Sequence, residues 1–271
     1  MIKTNKYFLL IVLFIIISQK VTSEERYVDQ TFGYDYVIID SNSLVYRNIT
    51  GLRAGEYIYP EEIKLSLQQT SDHYLYGFDD FGNKKAILLK NDNIIVFYYL
   101  DEGWDIKNPF FVGINEKSHI ITLPYSDIQA SSEFKENNKI YSSKLLNQCI
   151  LESPWVENDS EYGIGEYLEF SLSGMTSSEK KRESSGFFLF NGFVSWKNPS
   201  LYEKNSRIKR LKIEDLLTKE YWYQEILDTP NPQYVDCKGH ENHKIRVIID
   251  DVYGGTKYKD TCITGVILVK L

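Results

Sequence analysis

The sequence has few cysteines, few methionines and no excess of positive charge. Its 271 residues include three Cys and two Met, and the formal net charge is −7. Acidic and basic residues are interspersed, whereas a nucleic-acid-binding protein needs a basic stripe that neutralises phosphates. The same charge balance argues against electrostatic docking on an anionic lipid surface. We therefore expect no nucleic-acid partner.

Long apolar runs are missing everywhere except at the N-terminus. Two lysines precede the ten-residue run Phe8–Ile17, and Val21-Thr22-Ser23 follow it. A helix that spans a bilayer needs about 20 apolar residues, whereas a positive start with a short apolar run is typical of a cleaved secretory signal. We expect residues 1–23 to be a signal peptide, the only part that meets a membrane, and the protein to be secreted or periplasmic. An uncleaved N-terminal anchor is the alternative.

Catalytic constellations are also missing. The sequence has no Gly-x-Ser-x-Gly elbow and no Gly-rich phosphate loop before a helix. The pairs Asp79-Asp80 and Asp250-Asp251 are adjacent, so they cannot flank one glycosidic bond. His240 and His243 could chelate zinc on a helix, but the flanking Cys237-Lys238-Gly239 and the next strand predict a hairpin loop. The sequence therefore predicts no enzyme, no cofactor and no metal site.

The three cysteines suggest at most one disulfide. Cys237 and Cys262 lie close together near the C-terminus, and Cys149 stands alone. In an oxidising compartment, one disulfide plus one free or buried thiol is the simplest arrangement, so we predict a Cys237–Cys262 bond. The alternative is that Cys262, beside Ile263 on a strand, is a buried apolar residue and Cys237 is free.

What the chain does have is aromatic residues, with 21 Tyr and 14 Phe. Such enrichment favours sheets, and short strand-like segments separated by turn residues are typical of an all-β barrel or sandwich. We predict an all-β fold with two domains. Residues 24–130 form a small β-barrel-like domain of SH3-like proportions and unknown role, and residues 140–271 form a second domain that folds alone. The polar stretch 126–145 is the predicted boundary, and the Ser-rich insert 174–185 is a predicted loop.

Five stretches of the C-terminal half carry a family resemblance. In order they are Ser153–Glu157, Gly163–Leu168, Phe190–Phe193, Asn198–Lys209 and Asp251–Ile263. In these motifs the chain resembles the NADase-type glycan-binding domain, a discoidin-like, galactose-binding-like jelly roll of exported bacterial proteins. The resemblance implies a jelly-roll β-sandwich with an attachment role, and it is named after a module that flanks an NAD-cleaving domain. It does not cover the N-terminal half.

Within these motifs, six residues are the candidate ligand-binding residues. They are Trp155, Glu157, Asn191, Tyr202, Asn205 and Arg207. The rings of Trp155 and Tyr202 could stack on a sugar, and the other side chains could donate to vicinal hydroxyls. The alternative is a buried polar network that pins a loop to the sandwich, with Asn191-Gly192 as a turn of positive φ and Glu157 paired with Arg207 or Lys209.

One departure from the family concerns the loop before the tryptophan motif. Family members tend to carry an acidic residue there, whereas Leu145–Ile150 has none. We therefore expect no charge-dependent role, metal binding included, in that loop.

Together these observations predict an exported, non-catalytic binding protein. It would contact carbohydrate, a glycan or an envelope polymer, at a cell surface or envelope through its C-terminal jelly roll. The first alternative is a structural or protein–protein interaction module that docks a partner protein through exposed sheet edges. The second alternative is an envelope-polymer hydrolase that acts through the first domain.

Overall fold

The structure, a computed structural model, describes residues 24–29, 35–48, 53–54, 57–58, 62–70, 73–100, 106–123, 127–172, 185–237, 240 and 243–270. Its strands in chain order are β1 (Glu25–Val28), β2 (Tyr36–Asp40), β3 (Ser43–Arg47), β4 (Arg53–Ala54), β5 (Tyr57–Ile58), β6 (Glu62–Gln69), β7 (Leu75–Phe78), β8 (Lys84–Lys90), β9 (Ile94–Tyr99), β10 (Phe111–Asn115), β11 (Ile121–Thr122), β12 (Gln129–Ala130), β13 (Lys135–Glu136), β14 (Lys139–Ile140), β15 (Trp155–Val156), β16 (Tyr167–Ser171), β17 (Ser185–Asn191), β18 (Arg207–Asp215), β19 (Tyr221–Glu225), β20 (Gln233–Asp236), β21 (Lys244–Tyr253) and β22 (Cys262–Lys270). A 3₁₀ helix spans Ser143–Gln148, and one α-helical turn, α1, spans Leu201–Lys204.

The N-terminal half forms a barrel. In the described residues, eight antiparallel strands close it in the order β1-β10-β9-β8-β7-β6-β3-β2. Side chains of turn residues set the hairpins: the Asn91 Oδ1 accepts from the backbone N–H groups of Asn93 and Ile94 at 2.8 and 2.9 Å. On β6 only alternate residues are buried, so the other face of this strand meets solvent.

The C-terminal half forms a sandwich of two antiparallel sheets. The first sheet has the order β11-β22-β17-β20, with β15 also paired to β22, and the second has the order β12-β16-β21-β18-β19. One face of β18 and of β21 lies against the core between the sheets, and its residues are Ile208, Leu211, Ile213, Ile245, Val247 and Ile249. On β21 these are alternate residues, as in any strand with one buried face, whereas on β18 a register shift between Ile208 and Leu211 keeps both on that face.

The barrel packs on the outer face of the first sheet. On β9, Ile95 and Phe97 fill the barrel, whereas Val96 and Tyr98 point outward into a second core shared with the sandwich. Phe188, together with other β17 and β22 residues, completes this shared core. The Tyr98 hydroxyl also donates to the Cys149 backbone oxygen at 2.5 Å. The first sheet is thus covered on both faces, while the second keeps one face in solvent.

The predicted all-β fold, a barrel followed by a β-sandwich, is confirmed. The predicted boundary stretch carries β12, β13 and β14, and β12 belongs to the second sheet of the sandwich. How the chain divides into domains remains a prediction. The predicted signal peptide and nearly all of the predicted 174–185 loop lie outside the described residues. None of the helices among the described residues has the length and apolar character needed to cross a bilayer.

The predicted Cys237–Cys262 disulfide is not formed, and all three cysteines are buried free thiols. The Cys237 N–H donates to the Ser185 oxygen at the start of β17, whereas the Cys262 oxygen accepts from the Gly192 N–H just past its end, both at 3.0 Å. The length of β17 therefore separates the two cysteines by about 20 Å. A disulfide needs a Cα separation of about 5.5–6 Å. The prediction is wrong because the two residues lie at opposite ends of one sheet.

Candidate ligand-binding site

The tryptophan of the first motif is a core residue. Trp155 lies on β15 and has no exposed surface, and its indole N–H donates to the Ser132 oxygen at 2.8 Å. Both faces of its ring are covered by the core between the sheets. A sugar ring cannot stack on it, so the predicted ligand contact is corrected to a packing role.

Glu157 fastens two loops to each other. Its Oε1 accepts from the Thr261 N–H at 2.9 Å, and its Oε2 accepts from the Asp159 N–H at 2.6 Å. Burial raises the pKa of this carboxyl, and the two backbone donors only partly oppose the effect. The suggested pairing with Arg207 or Lys209 is wrong, because those side chains are paired elsewhere.

Asn191 clamps β17 to β18. Its amide oxygen accepts from the Ile208 N–H at 2.9 Å, and its amide nitrogen donates to the Ile208 oxygen at 2.8 Å. Gly192 follows with a φ of 81°, as the alternative interpretation predicted. A Cβ on Gly192 would lie 2.6 Å from the Tyr202 ring, so both the backbone conformation and the space require glycine.

Tyr202 and Arg207 converge on an aspartate that the sequence analysis did not single out. The Asp228 carboxylate accepts a bidentate pair from Arg207, at 3.0 and 2.7 Å, and a hydrogen bond from the Tyr202 hydroxyl at 3.0 Å. Burial alone would raise the pKa of Asp228, but the guanidinium outweighs burial and lowers it. Arg207 also donates to the Asn205 oxygen at 2.9 Å. We call Asn191, Tyr202, Arg207 and Asp228 the motif network.

The motif network has the geometry of the alternative interpretation, a polar network that fixes loops, although the Asp228 side chain is 37% exposed. Asn191 and Tyr202 are almost fully buried, and Arg207 is only 7% exposed. Their polar atoms are already satisfied within the protein, so they have little left to offer a ligand. Their assignment as ligand contacts is corrected accordingly. Of the six predicted residues, Asn205 is the one that lines the cavity described next.

That cavity lies at one end of the sandwich and has a volume of about 270 Å³. Its lining residues are Phe134, Glu136, Tyr141, Val156, Phe193, Leu201, Asn205, Tyr258 and Asp260. We call it the aromatic cavity. Four rings, one amide and two carboxylates meet in it, and this is the mixture of apolar surface and a few polar groups that small-molecule sites use.

One wall of the aromatic cavity is the β13–β14 hairpin. Phe134 and Tyr141 flank the hairpin, with their ring centroids 6.1 Å apart. The Phe134 N–H donates to the Val156 oxygen at 2.9 Å, and the Val156 N–H donates to the Tyr141 oxygen at 3.4 Å. The hairpin is therefore anchored on β15, at the end of the strand that carries the tryptophan.

The opposite wall is the loop between β21 and β22. The Tyr258 N–H donates to the Lys204 oxygen at 2.8 Å, and the Ser206 N–H donates to the Asp260 oxygen at 2.9 Å. A Cβ on Gly255 would lie within 2.4 Å of the Lys204 oxygen, so glycine allows this loop to lie against α1. The last of the five motifs thus places Tyr258 and Asp260 at the cavity.

The cavity is acidic at its rim. Burial raises the pKa of Asp260, and the charge of Glu136 adds to that rise. Burial also raises the pKa of the Tyr141 hydroxyl, again with a contribution from Glu136. The ammonium of Lys139 lies 4.2 Å from the centre of the Tyr141 ring, and it interacts electrostatically with Glu136.

A second cluster lies elsewhere on the sandwich. His240 and His243 are in the loop between β20 and β21, as predicted, and both contact the Asp215 carboxylate at the end of β18. The two histidines alone, without the aspartate, predicted no metal site.

The C-terminal part of the chain is a discoidin-like β-sandwich module. The chain belongs to the family of NAD glycohydrolase translocation F5/8 type C domains, which matches residues 122–269. The discoidin-like domain that the motifs predicted is therefore confirmed, while glycan binding remains a matter for proposal. No curated protein matches the chain.

Among solved structures, two cryo-EM structures of arabinofuranosyltransferase AftD from Mycobacteria share 12% and 13% identity with this chain. The matches cover 55% and 53% of this chain but only 11% and 10% of the transferase chains, with a TM-score of 0.38 in both cases. Similarity at this level supports no conclusion about fold or function.

Proposed function

We propose that this chain is an exported, non-catalytic binding protein whose sandwich takes carbohydrate in the aromatic cavity. The observation that carries the proposal is the meeting of four rings with Glu136, Asn205 and Asp260 around one cavity. Export is supported by the N-terminal pattern of lysines followed by a short apolar run. The F5/8 type C family assignment is consistent with a binding role.

The chemistry of the cavity suits a sugar. Aromatic rings pack against the C–H faces of a pyranose. The two carboxylates and the amide oxygen of Asn205, whose Nδ2 already donates to the Leu201 backbone oxygen at 2.8 Å, can accept from its hydroxyls. The volume of about 270 Å³ lies near the lower limit of small-molecule pockets, which is about 300 Å³. We therefore expect the cavity to hold one terminal sugar of a glycan.

The test is a glycan array probed with the chain from residue 24 onward. Tyr258→Ala removes a ring that is 37% exposed at the cavity, and Tyr223→Ala removes one that is 51% exposed on β19, away from it. We expect Tyr258→Ala to lower the affinity for the glycan at least about tenfold and Tyr223→Ala to leave that affinity unchanged. Equal effects, or an array without any retained glycan, would contradict the proposal.

A second candidate function, docking of a partner protein, has its own observation. Four large side chains on and beside the edge strand β19 are well exposed, namely Leu217, Tyr221, Tyr223 and Leu227. Exposed apolar residues on a sheet edge favour protein contact. Cross-linking in the native host, followed by mass spectrometry, separates the candidates: a single captured protein that Tyr223→Ala abolishes would favour docking.

A further inference from the structure

Three side chains with metal-binding atoms meet outside the aromatic cavity. They are Asp215 at the end of β18, and His240 and His243 in the loop between β20 and β21. One ligating atom from each lies within 4.8 Å of the other two. The proposed function makes no use of this cluster.

The carboxylate of Asp215 is held in place by backbone. Its Oδ1 accepts from the Leu217 N–H at 2.7 Å and from the Thr218 N–H at 3.2 Å, which fixes the turn after β18. The side chain is fully buried. Because Oδ1 is occupied by the turn, Oδ2 is the atom that faces the histidines.

The loop places both imidazoles on the same side. The His240 N–H donates to the Cys237 oxygen at 3.0 Å, and the His243 N–H donates to the His240 oxygen at 3.3 Å. The Nδ1 atoms of His240 and His243 each lie 2.5 Å from the Asp215 Oδ2. Two nitrogen atoms and one oxygen atom thus converge from two segments of the chain.

The ring of His240 is also supported from behind. It stacks on Trp222, with centroids 5.0 Å apart and planes 12° apart. Its other nitrogen, Nε2, lies 3.4 Å from the Glu220 Oε2. A carboxylate on the far nitrogen is the outer-shell arrangement that orients metal-ligating histidines and raises their basicity.

We propose that Asp215, His240 and His243 bind a divalent transition metal, with zinc as the ion that fits best. Two imidazoles and one carboxylate are a common zinc ligand set, completed by water at the fourth position. The Oδ2–Nδ1 separations are shorter than the usual 2.7–3.2 Å of an N–H···O bond. With zinc–ligand bonds of about 2.0–2.1 Å at tetrahedral angles, the distance from Oδ2 to each Nδ1 would widen to about 3.3 Å.

A metal here would fasten the two sheets of the sandwich together. Asp215 ends a strand of the second sheet, and the histidine loop leaves β20 of the first sheet to enter β21 of the second. Structural zinc contributes its binding free energy to the folded state, so the ion would stabilise the sandwich.

The experiment uses the full chain, freed of metal by a chelator and then titrated with zinc chloride. Calorimetry is expected to show one zinc ion bound per chain, and the melting temperature is expected to rise with zinc concentration. No saturable binding to the unaltered chain would overturn the proposal without recourse to any variant. Binding of several ions per chain that leaves the melting temperature unchanged would overturn it as well.

Variants then locate the ion. His243→Gln is expected to lower the zinc affinity by more than about 100-fold. Glu220→Gln, which removes only the outer carboxylate, is expected to lower it by about 10–100-fold. The matched control is His119→Gln, because His119 is an exposed histidine on the barrel side of the chain. It should leave both the affinity and the zinc-dependent rise in melting temperature unchanged. If His243→Gln binds zinc as tightly as His119→Gln does, the assignment is wrong.

Discussion

The motif network and the aromatic cavity lie in the same sandwich and are built from overlapping motifs, but they use polar groups in different ways. In the network, the Arg207 guanidinium and the Asp228 carboxylate are paired with each other and with neighbouring groups. At the cavity, the carboxyl of Asp260 lies at a surface that includes the exposed ring of Tyr258. The side chains of the network are already paired within the protein, whereas the cavity is open to a ligand.

The contrast indicates where a ligand site can lie in such a module. Residues of the motifs fix loops to the sheets, and the groups that remain available lie on the segments so fixed. The network also touches the shared core, because the Tyr202 ring lies 6.5 Å from the Tyr74 ring of the barrel half. The cavity residues belong to a separate small cluster around Val156, Phe193 and Cys262. The barrel therefore supports the network side of the sandwich.

The largest expected effect comes from removing the barrel. Residues 127–271 alone would expose the apolar side chains of β17 and β22 that face the barrel, among them Phe188, Phe190, Ile267 and Val269. Burial of each contributes roughly 1.5–3 kcal/mol, and their sum rivals the typical total stability of about 5–15 kcal/mol. We expect the isolated segment to aggregate or to melt far below the chain from residue 24 onward, as followed by circular dichroism.

The sequence, in contrast, predicts that residues 140–271 fold alone. A segment that melts cooperatively at the temperature of the longer chain would support that expectation. The barrel would then be a neighbour of the sandwich and contribute nothing to its stability.

A smaller effect is expected for Trp155→Ala. This change removes a fully buried indole and should lower the free energy of unfolding by about 3–5 kcal/mol. Tyr258→Ala at the cavity should stay within about 0.5 kcal/mol, as surface changes do. Urea unfolding of both variants measures the contrast. If Trp155→Ala kept full stability but lost ligand binding, the packing role of Trp155 would be wrong and the original stacking assignment would be restored.

Much of the fold could be predicted from the sequence, because local patterns determine strands. The alternation Ile245, Val247, Ile249 predicts a strand with one buried face, and the structure has β21 there. The unbroken apolar run of β9 fits burial on both faces, but the sequence does not say what covers the outer face. Only the tertiary fold shows that β17 lies there.

The sites were harder to predict because their residues come from segments that are distant along the chain. Nothing in the sequence joins Asp215 to His240 and His243, because only the pairing of β18 with β21 brings it near them. Phe134 and Tyr141 were missed for a similar reason, because only the docking of their hairpin on β15 places them at the cavity. Periodicity reports which face of a strand is buried and does not report which loops meet.

The smallest expected effect is a difference in pH dependence between two buried carboxyls, those of Glu157 and Glu169. Burial raises the pKa of Glu157, and the nearby charges of Asp260 and Asp159 raise it further. A carboxyl with a raised pKa binds its proton more tightly in the folded state, so its contribution to stability is present at low pH and is lost as the pH rises through the folded pKa. Asp260 acts in the same direction.

Glu157→Gln removes this titration. The stability of this variant relative to the unaltered chain should therefore improve as the pH rises from below about 4.3, the ordinary pKa of Glu, toward 7.

Glu169→Gln is the matched control with the opposite sign. Burial would raise the pKa of Glu169, but Lys244 and Arg246 outweigh burial and lower it. That carboxylate therefore stabilises the fold above its ordinary pKa, and this contribution is lost as the pH falls through the lowered pKa. Glu169→Gln should accordingly fall further behind the unaltered chain as the pH rises over the same range. Urea midpoints across this range measure both differences, and parallel curves for the two variants would show that burial does not govern Glu157.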